Sequence, residues 1–361
     1  MTHTDTTDKP LQGKRIVVTG GTGSLGKLLV RRLLSGEMGD PEAITVFSRD
    51  EAKQHQMRLD YLQQGAATDE IIFQNFERKV KFWIGDIRDF DSVSSVLRDA
   101  DVVFNAAALK QVPTCEYFPF EAVKTNIGGA ENIVKAIEQH RLGVETVVGV
   151  STDKACKPVN VMGMTKALQE RVFIQANMRI PETRFVCVRY GNVLASRGSV
   201  IPLFHDQIRA GGPVTITTAE MTRFLLSLDQ AVDTLFAAIR SAKPGETYVP
   251  DAPSALVTDI AAALIGDRQI DTRFIGIRPG EKLHEAMVSD EEAPRTRMAG
   301  DWYAIRPMLP ELSGESEGAP ALSSEFSSED RVLSAEKTRQ LLANHRLMPN
   351  DVSLVDGELI R

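Results

Sequence analysis

The sequence predicts an α/β fold, a doubly wound parallel sheet with a smaller, discontinuous C-terminal domain. Two observations support this prediction. Apolar segments of strand length alternate with helical segments of about ten or more residues up to residue 195. The strand segments are short, valine-rich and continuously apolar, which is typical of parallel strands buried on both faces. With 361 residues, the chain is long enough for one large domain and a smaller one.

The composition narrows the classes of partner and of site. A net charge of −7 disfavours nucleic acid or an anionic membrane as the main partner. No apolar run approaches the roughly 18–20 residues of a membrane span. Residues 1–14 are polar and lack the apolar centre of a secretion signal, so we expect a cytoplasmic protein. The three cysteines lack metal-ligand spacing, so we expect reduced thiols and no metal site.

The elements of the first domain follow in chain order, after a polar segment over 1–13 that we expect to be disordered. We assign residues 14–195 to this domain, together with a helix that returns to it near 228–250. The pattern predicts strands over 15–19, 43–47, 80–84, 101–105, 146–150 and 185–189. It predicts helices over 27–34, 52–64, 124–140 and 165–175.

The character of the sequence changes after residue 195. A polar loop, a helix over 203–210, a strand over 214–217 and short elements over 246–277 indicate a second domain. We assign residues 196–227 and 251–309 to it, and 310–361 to a linker and tail. Residues 310–330 are rich in Ser, Glu, Pro and Gly, which predicts a mobile linker, and 336–344 predict a last short helix.

A strand, a glycine-rich turn and an amphipathic helix follow one another directly near the N-terminus. The turn is Gly20-Gly21-Thr22-Gly23-Ser24-Leu25-Gly26. Glycine lets the backbone approach a pyrophosphate, and the helix N-terminus offers free N–H groups and a positive dipole. This order predicts a Rossmann-like dinucleotide-binding unit. A purely structural glycine turn is the alternative.

The end of the second strand indicates which dinucleotide is bound. In NAD-preferring folds a carboxylate there receives the ribose 2′-hydroxyl. This chain has Ser48 and Arg49 first, with Lys53 a turn later. A hydroxyl and a guanidinium suit a 2′-phosphate, so we predict NADP, with NAD the less favoured alternative. Asp50 is near enough to favour NAD, and a Ser-Arg-Asp helix cap is the structural alternative.

Further candidate contacts lie at the ends of later strands. Asp86 could accept from an adenine amino group with Ile87 against the ring, although a plain strand-end turn fits the same spacing. The small residues Ala106, Ala107 and Ala108 permit a flat cofactor to approach, and tight helix–sheet packing is the alternative. Asn126 has no propensity reason to lie inside the predicted helix over 124–140.

The central candidate site follows the strand over 146–150. Thr152, Asp153 and Lys154 bring a hydroxyl, an acid and a base to the carboxyl end of a buried strand. Ligands bind at that end in open α/β sheets. A second lysine, Lys166, follows on the next predicted helix. A Thr-Asp helix cap with two solvated lysines is the alternative.

These segments together resemble the extended short-chain dehydrogenase/reductase superfamily. Within it they are most similar to the UDP-N-acetylglucosamine 4,6-dehydratases of the C5-inverting, capsule-type branch. The resemblance runs over residues 14–307 and is carried by the motifs Thr19-Gly20-Gly21-Thr22-Gly23-Ser24-Leu25-Gly26, Phe47-Ser48-Arg49-Asp50-Glu51, Ser151-Thr152-Asp153-Lys154, Arg189-Tyr190-Gly191-Asn192-Val193, Ser196-Arg197-Gly198-Ser199 and Arg278-Pro279-Gly280-Glu281-Lys282.

The resemblance implies a substrate, a cofactor and a set of site residues. The implied reaction removes water from UDP-N-acetylglucosamine, with retained NADP, for surface polysaccharide biosynthesis, in a homo-oligomer that is a dimer or hexamer. The implied cofactor contacts are Thr19, Gly20, Thr22, Gly23, Ser24, Leu25, Gly26, Ser48, Arg49, Lys53, Asp86, Ile87, Ala106, Ala107, Ala108, Lys110, Asn126, Lys166 and Tyr190. The implied UDP-sugar contacts are Lys110, Asn192, Arg197, Ser199, Arg223, Arg278 and Glu281, among which the arginine forks suit a diphosphate.

Met162 stands where the superfamily usually has a tyrosine, although some 4,6-dehydratase branches resemble this chain in carrying methionine. Methionine cannot accept the proton of the sugar 4-hydroxyl. The candidate acceptors are therefore Asp153, Thr152 through water, and Lys166. We expect Lys154 to be the base at C5 and Asp153 the acid. A lysine base requires a pKa well below about 10.4, and the acid must hold a proton, alone or shared with Lys154.

Two further interpretations stay open. One is a retaining 4,6-dehydratase or an epimerase acting on another nucleotide sugar, although a simple 4-epimerase needs no elimination acid. The other is an NADP-sensing regulatory protein that has lost the chemistry. Met162 favours the sensor, whereas the presence of Asp153, Lys154, Lys166 and the arginine motifs disfavours it.

Overall fold

A computed structural model describes residues 9–63, 76–194, 199–313, 319–351, 353–355 and 358–360. Its strands are β1 (Arg15–Thr19), β2 (Ala43–Ser48), β3 (Val80–Ile84), β4 (Val102–Asn105), β5 (Thr146–Val150), β6 (Arg184–Val188), β7 (Val214–Ile216), β8 (Thr222–Phe224), β9 (Thr247–Pro250), β10 (Ser254–Leu256), β11 (Thr272–Phe274), β12 (Ala286–Val288), β13 (Thr296–Ala299), β14 (Trp302–Ile305), β15 (Phe326–Ser327), β16 (Ser353–Val355) and β17 (Glu358–Ile360).

The helices follow the strands along most of the chain. The α-helices are Ser24–Leu34, Glu51–Gln63, Phe90–Leu97, Val112–Tyr117, Pro119–Ala122, Gly129–His140, Val161–Arg179, Val200–Arg209, Leu228–Ser241, Val257–Ile265, Pro310–Ser313 and Ala335–Asn344. A π-helical segment, Val123–Gly128, runs directly into Gly129–His140, and Asp153–Ala155 and Ala293–Arg295 form 3₁₀ turns. None of the helices in the described residues has the length and apolar character that a membrane span requires.

The central sheet confirms the predicted doubly wound fold. Its nine strands lie in the order β13-β14-β9-β6-β5-β4-β1-β2-β3. Neighbouring strands pair in parallel along the row β9-β6-β5-β4-β1-β2-β3, whereas β14 pairs antiparallel with both β9 and β13. Because β1 lies between β2 and β4, the strand order reverses there, which is the point where ligands bind in such sheets.

Both faces of the sheet are covered, which explains why the strands are continuously apolar. In β1, Ile16 and Val18 pack with the helices Ser24–Leu34 and Leu228–Ser241. The intervening Val17 packs on the other face, with the helices Phe90–Leu97 and Gly129–His140. Successive side chains of a strand point to opposite faces, so a strand covered on both sides needs apolar residues at every position.

A smaller apolar cluster forms the second domain. It joins the helices Val200–Arg209, Val257–Ile265 and Ala335–Asn344, with Leu342 fully buried among them. Two short strand pairs, β8 with β10 and β7 with β11, lie in the same part of the chain. The predicted helix over 336–344 is therefore present, and it packs against the second domain.

Three boundary predictions were wrong. Residues 9–13 are ordered, because Leu11 is buried in the core and its N–H donates to Met38; residues 1–8 lie outside the described residues. The predicted linker is structured over 319–330, where Phe326 is buried and β15 pairs with β12. Residues 296–305, assigned to the second domain, form β13 and β14 of the main sheet. Each of these segments is held by partners distant in the sequence, which local composition does not predict.

The helix that carries Lys166 is longer than predicted. It spans Val161–Arg179 because the Asn160 side chain caps it, accepting from the Gly163 N–H at 2.8 Å. Met162 and Gly163 therefore lie in its first turn. The helix Phe90–Leu97, which the periodicity did not predict, begins at a similar cap from Asp89.

Candidate active site

The glycine turn after β1 packs tightly against the end of β4. Gly20 has a φ of +66°, and a Cβ on it would lie 2.8 Å from the backbone nitrogen of Ala107. Gly26 is equally constrained, since its Cβ would lie 2.5 Å from the Cα of Gly21. These glycines are required by backbone packing between the turn, the helix and the next strand end.

The N-terminus of the helix Ser24–Leu34 suits an anionic group. Its N-cap is Gly23, which has no side chain to cap the free N–H groups, and no acidic residue lies in the first turn. Uncapped donors and the positive end of the helix dipole favour a phosphate there. The residues present therefore fit the pyrophosphate of a dinucleotide.

The sequence allows residues 48–50 at the end of β2 to be either a 2′-phosphate site or a helix cap, and the structure is compatible with both. Asp50 caps the next helix by accepting from the Lys53 N–H at 3.0 Å, and it pairs with the Lys53 ammonium at the same distance. Both bonds hold the pKa of Asp50 below its usual value. The Arg49 side chain is 56% exposed and lies 3.9 Å from Asp86. Ser48 contacts Thr22 at 3.0 Å. The exposed guanidinium fits a 2′-phosphate.

Asp86 and Ile87 lie at the end of β3 with partners in the protein. Burial works against ionisation of Asp86, but Arg88 holds its carboxylate and leaves its pKa lowered. The Ile87 side chain is buried against Gly129, where an added Cβ would lie 2.7 Å from it. Ile87 therefore packs in the core, and a contact with adenine stays a prediction.

Asn126 has a structural role that explains its unusual position. It is fully buried in the π-helical segment, its oxygen accepts from the Leu109 N–H, and its amide donates to the Leu109 carbonyl and to Thr165. Thr19 is similarly buried and bonds Asn105 and the Ala107 N–H. Through these bonds the two side chains shape the loop over 106–110, in which Lys110 is exposed, and their contact with the cofactor stays a prediction.

The structure brings the acid and the base of the central stretch together at the end of β5. Asp153 is fully buried, and its Oδ1 accepts from Thr152 Oγ1 at 2.8 Å and from Lys154 Nζ at 3.0 Å. Lys154 Nζ also donates to Asn192 Oδ1 at 3.0 Å and lies 3.4 Å from Glu285 Oε1. Thr152 also caps the 3₁₀ turn through its side chain, as the structural alternative expected, but Lys154 is held by buried side chains and is not a solvated lysine. A catalytic role of the stretch stays a prediction.

The protonation of Lys154 differs from the expectation. Burial lowers its pKa, but the carboxylates of Asp153 and Glu285 outweigh that effect and raise the pKa above the ordinary 10.5. The electrostatics of the site therefore favour the ammonium form of Lys154 over the neutral amine that the sequence interpretation required. The 3.0 Å bond to Asp153 instead provides a path on which the two groups can share a proton.

Lys166 is the lysine with a lowered pKa. Its ammonium is buried, donates to the Val150 carbonyl at 2.5 Å and to Gln169 at 2.6 Å, and has no carboxylate among these partners. Burial lowers its pKa to about 8. Lys166 can therefore change protonation state more readily than Lys154.

Met162 packs as a core residue beside the site. It is buried in a small apolar cluster with Cys115 and Ala122, against which Leu109 and Val112 also pack. Its surroundings are those of a side chain that fills space. Its neighbours in this cluster are apolar or weakly polar, and the interpretation that the site is built around methionine stays a prediction.

The predicted substrate residues are only partly brought together. Asn192, Ser199 and Arg223 line one small pocket, where the Ser199 hydroxyl is buried and has no hydrogen-bond partner within the described residues. The Arg223 guanidinium donates hydrogen bonds to the backbone carbonyls of Thr222, Leu283 and Lys282. Arg197 lies outside the described residues.

Three further predicted contacts, Arg278, Glu281 and Tyr190, differ in their exposure and in their hydrogen-bond partners. Arg278 is exposed, and Glu281 accepts weakly from Thr217 at 3.5 Å. Tyr190 is partly buried, burial raises its pKa, and its carbonyl accepts from the Asp153 N–H. Asn160, through its amide, donates to the Gly280 carbonyl at 2.9 Å and so ties this motif to the helix that carries Lys166.

A buried ion network that the sequence interpretation missed holds the site in place. The fully buried Arg189 bonds Glu170 on the helix Val161–Arg179, the Met287 carbonyl in β12 and Glu292 beyond that strand. Glu170 in turn accepts from Ser151 at 2.5 Å. The network joins the ends of β5 and β6 to the segment that contains Glu285. Ser151 and Arg189 lie within motifs quoted from the sequence, whereas Glu170 and Glu292 gave no sign of the network there.

Comparisons with known proteins agree with this architecture. A family model described as polysaccharide biosynthesis protein matches residues 16–307. A UDP-glucose 4-epimerase of Rickettsia conorii is 45% identical over 297 residues, covering 81% of this chain and 82% of that protein. One from Rickettsia bellii is 41% identical over 343 residues, covering 92% and 96%.

Solved structures show the same fold. Pen from Bacillus thuringiensis is 34% identical, with a TM-score of 0.81 over 94% of this chain and 99% of that one. The dTDP-glucose 4,6-dehydratase DesIV from Streptomyces venezuelae, determined with NAD bound, is 21% identical, with a TM-score of 0.62 over 74% and 86%. This chain has the fold of the extended short-chain dehydrogenases/reductases and belongs to the polysaccharide biosynthesis protein family.

Proposed function

We propose that the protein is a nucleotide-sugar 4,6-dehydratase that acts on UDP-N-acetylglucosamine with retained NADP and inverts C5. The product is a UDP-4-keto-6-deoxy sugar for surface polysaccharide. The observation that carries the proposal is the contact between Asp153 and Lys154 at the end of β5. An elimination needs an acid and a base at one place, and this pair supplies both.

The pair can complete a proton cycle without a net change. NADP, when bound, supplies reversible oxidation at C4, which makes the C5 proton acidic. Transfer of a proton from Lys154 Nζ to Asp153 Oδ1 gives a neutral amine and a carboxylic acid. The amine then takes the C5 proton, and the acid donates its proton to the departing 6-hydroxyl, which leaves as water. Both groups have then returned to the starting ion pair. The unsaturated ketone would take back the hydride at C6 and a proton from water at C5, which balances the proton that the 4-hydroxyl releases during oxidation.

The cofactor assignment is supported by the donor set around the glycine turn. The uncapped helix after Gly23 offers N–H groups for a pyrophosphate. The exposed Arg49 and Lys53 would hold a 2′-phosphate, while Asp86 is already engaged by Arg88. We therefore propose NADP in preference to NAD.

The sugar-nucleotide side is supported by Asn192 and Ser199, which line the small pocket next to Lys154, and by the exposed Arg278. An exposed guanidinium would bind a diphosphate with two parallel bonds. We also propose a homo-oligomer, dimer or hexamer, which light scattering of the purified protein can test.

A 4-epimerase is the second candidate, favoured by the names of the Rickettsia relatives. Epimerisation at C4 needs a proton acceptor for one hydroxyl and does not touch C5 or C6. The two reactions therefore leave different marks in heavy water. A dehydratase incorporates deuterium at C5 and loses water, whereas an epimerase keeps the C5 proton.

The experiment is NMR of the product formed from UDP-N-acetylglucosamine in heavy water, with UDP-glucose in parallel. We expect a 4-keto-6-deoxy product with deuterium at C5. A 4-epimer that retains its C5 proton would establish the epimerase. An absence of product from both sugars, with a thermal shift only for NADP, would favour the sensor.

A further inference from the structure

Glu285 is an acidic side chain inside the candidate site to which the sequence assigned no role. It immediately precedes β12, and its side chain is only 4% exposed. One carboxylate oxygen, Oε1, lies 3.4 Å from Lys154 Nζ. The other, Oε2, is buried without a hydrogen-bond partner among the described residues and lies 4.0 Å from Lys282 Nζ.

We propose that Glu285 is a positioning residue that, with Asp153 and Asn192, holds Lys154 as an ammonium at the end of β5 and so sets the proton content of the catalytic pair. Its effect on catalysis rests on the proposed function. Its effect on Lys154 does not, because the contact joins two side chains of this chain and involves no substrate.

The geometry around Lys154 matches a protonated side chain. Two hydrogen bonds and one ion pair hold its Nζ, which donates to Asp153 Oδ1 and to Asn192 Oδ1, each at 3.0 Å, and lies 3.4 Å from Glu285 Oε1. A neutral amine could keep both hydrogen bonds, but the buried Glu285 carboxylate would then lose the positive charge beside it, which is unfavourable for a buried charge.

The charges that face Lys154 come from several elements. Asp153 lies on the same 3₁₀ turn, Glu285 precedes β12, and Arg223 approaches from β8. Lys282 lies on the far side of the Glu285 carboxylate. Burial and Arg223 lower the pKa of Lys154, and the two carboxylates raise it by more. Without Glu285, only the Asp153 carboxylate would oppose the effects of burial and of Arg223, so the pKa of Lys154 should be lower.

The backbone of Glu285 is fixed from another part of the chain. Its N–H donates to Ser328 Oγ at 3.0 Å, and its carbonyl accepts from the Ser328 N–H at 2.7 Å. The segment with Ser328 was predicted to be a mobile linker. This segment instead pairs with β12 through β15. The two bonds to Ser328 fix the backbone of Glu285 and so hold its carboxylate near Lys154.

The direct test is the titration of Lys154 in the ligand-free protein by NMR of ¹³C,¹⁵N-labelled lysine side chains. Its signal is assigned by its loss in Lys154→Arg. We expect Glu285→Gln to lower the Lys154 pKa by about 1–3 units, the usual effect of an opposite charge at this range. Glu329→Gln is the matched control, because it removes one exposed carboxylate that pairs with His284. An unchanged Lys154 pKa in Glu285→Gln would overturn the proposal.

A second variant protects the test against misfolding. Glu285→Asp keeps the charge on a shorter side chain, so the Lys154 pKa should fall less than in Glu285→Gln. If only the aspartate variant folds, a pKa equal to the wild-type value overturns the proposal and a lowered value supports it.

The catalytic consequence is read from the pH dependence of turnover of UDP-N-acetylglucosamine. In Glu285→Gln the alkaline limb should move to lower pH by the same shift as the Lys154 pKa. A titration shift with an unmoved alkaline limb would overturn the role in the reaction. An absence of turnover by the wild-type protein would instead refute the proposed function, and the titration would still decide what Glu285 does to Lys154.

Discussion

The carbonyl oxygen of Lys154 lies 2.2 Å from the position that a Cβ on Gly163 would occupy. The 3₁₀ turn with Asp153 and Lys154 therefore rests directly on the first turn of the helix that carries Lys166. The absence of a side chain at Gly163 therefore permits the close contact between these two segments of the candidate active site.

Gly163→Ala should displace this turn, because the clash is with backbone and cannot be relieved by a rotamer change. We expect a loss of about 1–3 kcal/mol of stability and a fall in kcat of roughly 10²-fold, as for other small misplacements of catalytic groups. Chemical denaturation and steady-state rates measure both. Gly128→Ala is the control, since its Cβ would meet its nearest neighbour at an ordinary 3.8 Å. Equal behaviour of the two variants would contradict the packing argument.

Lys154→Ala should nearly abolish elimination, by at least about 10²-fold, the lower range for a positioned acid or base. Deuterium exchange at C5 should vanish with it, while a small amount of bound NADPH on mixing with substrate can remain from oxidation at C4. NMR and absorbance follow the two steps separately. Lys157→Ala removes an exposed, ion-paired lysine nearby and serves as the control. Continued C5 exchange in Lys154→Ala would show that another residue is the base.

Met162→Tyr should bring little gain or a loss, because Met162 fills an apolar cluster with Cys115 and Ala122 in which a phenol hydroxyl would lack a partner. The measurement is single-turnover formation of NADPH absorbance with UDP-N-acetylglucosamine. Met164→Tyr, at an exposed position of the same helix, is the control. A gain of about 10²-fold or more would indicate a decayed tyrosine site and favour the sensor.

Arg49→Asp should weaken NADP binding about tenfold or more relative to NAD, since a carboxylate would then meet the 2′-phosphate beside Asp86. Calorimetric titration with both cofactors gives the ratio of affinities. Arg98→Asp makes the same charge change at an exposed site after the helix Phe90–Leu97. An unchanged ratio in Arg49→Asp would remove the basis for preferring NADP.

Lys166 should make the ligand-free protein less stable at neutral pH than under mildly alkaline conditions. Burial lowers its folded-state pKa to about 8 from 10.5, so the unfolded chain binds more protons between these values and stability rises with pH there. The stability of the wild type relative to Lys166→Met should improve by about 3 kcal/mol between pH 7 and 10.5. Denaturant unfolding at several pH values measures it. Lys135→Met, an exposed lysine, is the control, and a pH-independent difference for Lys166→Met would refute the burial effect.

The sequence by itself determined the sheet, the glycine turn and the meeting of Asp153 with Lys154. The strands β1 and β5 lie where the apolar runs predicted, because a strand buried on both faces must be apolar throughout. The predicted β3 is also present, as an edge strand with several exposed side chains. Asp153 and Lys154 are adjacent in the chain, so their meeting at a strand end needed no long-range information. The same is true of the uncapped helix after Gly23, which follows directly from the local order of residues.

Only the tertiary structure decided the protonation and the support of that pair. The pKa of Lys154 depends on Glu285, which comes from a distant segment, and the position of Glu285 depends on Ser328 in a stretch whose composition resembles a linker. Asn126 likewise found its partners in a loop and a helix elsewhere in the chain. Charge interactions and hydrogen bonds act through space over a few ångströms, so a sequence without its fold cannot say which groups will share one site.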